Sequence, residues 1–267
     1  MSSDTTQTPP ADHRVLSAQR RLRPAFWRAA VAEWGKAVSV RAPWLCLAAA
    51  LVAAVISAAG LANDFMLNVR NGKQPPFAVV DTMDILGQSL QLAVVVAGAG
   101  LMLLVTAEYS TGAATTTFTA QPHRTTVLLA KAAVAAVLAA VVGALTGGVA
   151  MSVQGAILGS HAAPGGPGVA EVAARAGVLW AALALFIVGL ATLLRSAVGT
   201  LAALVVVLLG LLAVPDPVGH FLPGRAAVAF LTAAVTPYPS TVGLVLVAGW
   251  AGAMLAVAAA AQRRRDL

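Results

Sequence analysis

Six apolar stretches, each long enough to cross a bilayer as a helix, constrain this chain more than any other feature of it. A hydrocarbon core of about 30 Å takes about 20 helical residues to span. Inside it every backbone N–H and C=O must find a partner within the fold, which selects helices or closed barrels. The stretches are Pro43–Ala62, Ile85–Ala107, Thr126–Gly159, Val172–Leu194, Ala197–Val214 and Thr241–Ala261. Their length is that of helices, since a barrel strand needs only about 9–11 residues. The third is longer than a span requires, which predicts tilting or projection beyond the bilayer. Only Arg195 and Ser196 separate the fourth from the fifth, which predicts a tight hairpin. Charged residues make up 10% of the chain, against about 25% in soluble proteins.

The basic residues set the orientation. Of the 17 Lys and Arg, thirteen fall on one side: the N-terminal segment, Arg124, Lys131, Arg195 and Arg263 to Arg265. Arg70, Lys73, Arg175 and Arg225 fall on the other. The positive-inside rule then puts both termini in the cytoplasm. A cysteine placed at position 73 is expected to react with an impermeant thiol reagent in intact cells, and one at position 112 is not. Strong labelling at 112 would reverse the topology. Because the charge follows membrane boundaries, the net +7 does not indicate nucleic acid.

Residues 1–24 are read as a disordered cytoplasmic tail and 25–267 as the transmembrane domain. From Ala25 to Val38 the sequence is amphipathic. At about 100° per residue, Phe26, Trp27, Ala30, Val31, Trp34, Ala37 and Val38 share one sector, and Arg28, Glu33 and Lys36 the other. This predicts a helix lying in the membrane interface, anchored by Phe26, Trp27 and Trp34. An apolar piece from Gly224 to Val235, bracketed by Pro223 and Pro237, is too short to span. It is expected at the outer face, or dipping into it. Lys131 and Arg175, about one turn inside their spans, read as snorkelling topology anchors. The expected fold is thus all-α: a polytopic membrane protein of six transmembrane helices, an N-terminal interfacial amphipathic helix, and a short re-entrant or interfacial external helix between spans five and six.

The link between the second and third stretches, Glu108 to Arg124, is rich in Ser and Thr. Each Thr costs up to about 0.7 kcal/mol relative to Ala in a helix. A short helix here would not hold alone in water; docking against another surface would hold it. A plain polar loop is the other reading. No G-x-x-x-x-G-K-[ST] occurs, so the chain lacks a phosphate-cradling loop. No metal-ligand spacing, cofactor motif or catalytic constellation stands out. The four histidines lie outside the spans, and no Asp or Glu sits in the middle of one, which counts against a proton-coupled carrier.

Three places resemble the membrane-spanning permease subunit of type-2 ATP-binding-cassette (ABC) exporters in the short bacterial form. They are Glu33-Trp34-Gly35-Lys36 before the first span, the stretch from Glu108 through Gln121-Pro122-His123-Arg124 to Lys131, and the terminal Arg263-Arg264-Arg265-Asp266-Leu267. The resemblance covers nearly the whole chain from Phe26. It implies a coupling helix that inserts into a separate ATPase subunit, formed here by Glu108, Tyr109, Ser110, Thr111, Gly112, Thr115, Thr116, Phe118, Thr119, Pro122 and Arg124. It also implies a re-entrant piece between spans five and six, a second permease copy as homodimer or heterodimer, and a place in the bacterial cell membrane with ATP hydrolysis on the partner. A membrane-anchor or regulatory subunit that recruits a partner without passing substrate fits the same link. Nothing in the residues names a substrate or its contacts.

Overall fold

A computed structural model describes residues 11–110, 124–209, 213–216, 218–232 and 237–264, with side chains from residue 25 and outside 109–124. Among them are eight α-helices. These are α1 Ala11–Ser39, α2 Arg41–Arg70, α3 Thr82–Ser110, α4 Arg124–Leu158, α5 Val169–Leu194, α6 Ala197–Leu208, α7 Pro223–Leu231 and α8 Ser240–Arg264. Five of them, α2, α3, α4, α5 and α8, are long and apolar enough to cross a membrane. By length and hydropathy this is a multi-pass membrane protein.

The sixth expected span is not among them. The stretch Ala197–Val214 supplies α6, which has 12 residues and is therefore about 18 Å long, short of a hydrocarbon core. It ends against the start of α7: a Cβ on Gly224 would lie 2.7 Å from the Leu208 carbonyl oxygen. Only glycine lets the two helix ends meet so closely. The short external helix expected between Pro223 and Pro237 is α7, with Pro223 in its first turn, where proline's missing N–H costs nothing.

The hairpin between α5 and α6 forms as expected. Arg195 takes a left-handed conformation, φ 52°, and its N–H bonds the Ala191 carbonyl to close α5. Ser196 then caps α6, accepting from the Gly199 N–H at 3.2 Å. At the opposite end of the bundle the α2–α3 and α4–α5 loops are pinned together. Val80 donates to the His161 carbonyl at 2.9 Å, and Ala163 donates to the Val80 carbonyl at 3.0 Å. His161 Nδ1 lies 2.8 Å from the Ala78 carbonyl. A carbonyl can only accept, so this nitrogen carries the proton.

The core is organised by small residues. On α2, Ala50, Ala54, Ala58 and Ala62 form a fully buried ridge at four-residue spacing, the spacing that packs helices closely. On α4, Gly143 and Gly147 lie against Trp180, Ala176 and Val172 of α5. α5 is the central helix and the most deeply buried of the five long ones, whereas α8 is peripheral. Trp180, Leu183 and Ile187 of α5 join Leu90 and Leu101 of α3 and Leu204 of α6 in one cluster. Arg175 does more than anchor α5. It pairs with Glu171 at 2.7 Å and reaches the Phe230 carbonyl at the end of α7 at 3.5 Å.

Candidate functional site

The densest group of charges in the described residues joins α1, α3 and α4. Glu33 and Lys36 stand three apart on α1 and so share a face. Glu108 lies in the last turn of α3, and Lys131 two turns into α4. Their four side chains close a ring. Lys36 Nζ lies 2.7 Å from Glu33 Oε1 and 2.8 Å from Glu108 Oε1. Lys131 Nζ lies 2.6 Å from Glu108 Oε2 and 3.1 Å from Glu33 Oε2. Each carboxylate thus bridges both ammonium groups, one oxygen to each. Lys131 also donates to the Leu104 carbonyl at 3.3 Å.

Burial makes this ring consequential. The side chains of Glu33 and Lys131 are 6% and 8% exposed, and that of Glu108 17%. A charge so placed costs several kcal/mol unless it is paired and hydrogen-bonded; here each has an opposite charge in contact. Lys36 is the member nearest solvent. Burial lowers its pKa, but hydrogen bonds and charge attraction from Glu108 and Glu33 outweigh that and raise it above the usual lysine value.

The sequence reading of this region needs two corrections. Lys131 is not a snorkelling anchor: it is buried, because two carboxylates meet it inside the bundle. Within the polar sector of α1, Glu33 turns inward, while Arg28 stays exposed and Lys36 partly exposed. Glu33 is buried between Ala29 and Ala37, while Trp27, Val31, Trp34 and Val38 are exposed. The helix turns its carboxylate toward α4 because Lys131 is there to receive it, and leaves its large apolar side chains outward. Phe26 is partly buried and meets Trp27 edge to face at 5.9 Å. Glu108, at the end of its apolar run, is met by both Lys36 and Lys131.

The other residues of the expected coupling segment are divided by the described range. Tyr109 and Ser110 fall in the end of α3 and Arg124 begins α4. Thr111, Gly112, Thr115, Thr116, Phe118, Thr119 and Pro122 lie outside the described residues. The ring therefore sits at the base of that segment, with Glu108 before it and Lys131 after it. A second charged group lies near α7, where Asp216 pairs with His220 and Arg225, both at 2.7 Å. Nothing in the sequence singled it out, since its members are close only through the turn before α7.

Comparison with family models, curated proteins and solved structures gave no match to this chain.

Proposed function

We propose that this chain is the permease subunit of an ABC exporter. It forms the substrate path across a bacterial cell membrane with a second permease copy and is driven by a separate ATPase. The observation that carries this reading is the closed ring of Glu33, Lys36, Glu108 and Lys131. A segment that receives force from a cytoplasmic partner needs a rigid base. Here the helices before and after the segment are clamped to each other and to the interfacial helix α1 by buried, mutually paired charges. Support also comes from the Thr-rich composition of the segment, which favours docking over a free-standing helix, and from the absence of a phosphate-cradling loop in the chain itself. In this reading α7 is the re-entrant piece at the outer face.

The test is co-purification with the ATPase encoded nearest to it, together with export in cells. Gly112→Trp is expected to keep membrane insertion and expression but to lose export and ATPase capture, because a bulky side chain wedges a docked segment out of its cleft. The chain alone should bind no nucleotide. Wild-type export by a well-expressed Gly112→Trp variant would remove the coupling assignment. ATPase capture without any export by the wild type would instead favour the recruiting-anchor reading.

A further inference from the structure

A cavity of about 380 Å³ opens beside the ion ring, lined by Ala37 of α1, Val40 and Pro43 at the α1–α2 junction, Leu103 and Leu104 of α3, and Val134 of α4. Its volume is in the range of small-molecule sites, about 300–1,000 Å³. Its lining is graded along the membrane normal. Glu108 and Lys131 stand at one level. Leu104 lies four residues before Glu108, and Val134 three residues after Lys131, so they lie about 6 Å and about 4.5 Å deeper into their spans. Trp34, the neighbour of Glu33 on α1, is exposed beside the polar end, a side chain that favours the headgroup region, and the apolar lining lies toward the middle of α3 and α4. This is the polarity of an amphiphile that stands in the bilayer.

We propose that the cavity takes one acyl chain of a zwitterionic phospholipid of the leaflet on which α1 lies, the chain entering between Leu103, Leu104 and Val134 and the headgroup staying at the mouth beside Lys36. Charge selects the headgroup. The ring holds two carboxylates and two ammonium groups, alternates in sign and sums to zero, so it offers a zwitterion opposed charges and an anionic headgroup no net attraction. Lys36 is the 40% exposed member, and it places an ammonium at the mouth.

The test uses the full chain purified in mild detergent and exchanged into mixed micelles of phosphatidylethanolamine and phosphatidylglycerol. Native mass spectrometry should find one phosphatidylethanolamine retained in preference to phosphatidylglycerol. A phosphatidylethanolamine with a mid-chain diazirine should crosslink to Leu103, Leu104 or Val134. Val40→Trp closes the mouth without touching the ring, and Val134→Trp fills the interior. Both should lose the retained lipid, and Val40→Trp should keep the wild-type melting temperature. Retention undiminished in Val40→Trp, crosslinks confined to lipid-facing positions such as Val52 and Ile56, or preferential retention of phosphatidylglycerol would each overturn the proposal.

Discussion

Lys131→Met is expected to destabilise the protein by about 3–5 kcal/mol, the usual cost of removing one partner of a buried ion pair. The substitution conserves most of the side chain's volume, so little of the effect comes from packing. What remains is one oxygen of Glu33 and one of Glu108, each within contact distance of Lys131 in the wild type and now without that ammonium partner. Melting in detergent followed by size-exclusion fluorescence measures the loss. Neutralising all four members together, as Glu33→Gln, Lys36→Met, Glu108→Gln and Lys131→Met, should recover much of the stability, because an uncharged set leaves no orphaned ion. The four changes are coupled and will not add. If the ring serves to transmit force, the recovered variant should still export poorly. A Lys131→Met variant that melts like the wild type would show that the ring carries no stability.

Gly143→Leu and Gly177→Leu should each part α4 from α5. A Cβ on Gly143 would lie 2.7 Å from the Trp180 Cβ and 2.8 Å from the Ala176 carbonyl oxygen; one on Gly177 would lie 2.9 Å from the Ala140 carbonyl oxygen. Backbone oxygens in helices cannot step aside, so the helices must move. Overpacking of this kind costs about 1–3 kcal/mol, occasionally more, and a leucine at this crossing belongs at the upper end. Gly155→Leu is the matched control. Nothing lies within 4 Å of its would-be Cβ, and a change of no more than about 0.5 kcal/mol is expected. Equal melting temperatures for Gly143→Leu and Gly155→Leu would mean that this helix pair does not form as described.

Those two glycines also mark the limit of what sequence pattern reaches. Gly143-Ala144-Leu145-Thr146-Gly147 and Gly155-Ala156-Ile157-Leu158-Gly159 carry the same spacing, and nothing local separates them. In the fold the first is a helix crossing, whereas the second runs off the end of α4 into a turn where Gly159 takes φ +53°. Which face meets a neighbour depends on where α5 lies, and that is set by the whole bundle.

The five long apolar helices, the α5–α6 hairpin and the short helix that starts at Pro223 follow from the chain's own composition, because in lipid each segment's backbone must satisfy itself and apolar length alone decides what can cross. The shortness of α6 does not follow. Its residues are as apolar as those of a span, and it stops where Gly224 brings α7 against its last carbonyls. The same division runs through the candidate site. That Glu108 needs a cation is readable from its place at the end of an apolar run. That Lys131 and the i, i+3 pair Glu33 and Lys36 close a ring around it is not, since the members are separated by up to 98 positions in the chain. An isolated amphipathic helix would turn Glu33 to water. Only the tertiary structure, by presenting a buried ammonium on α4, makes the inward orientation the lower in free energy.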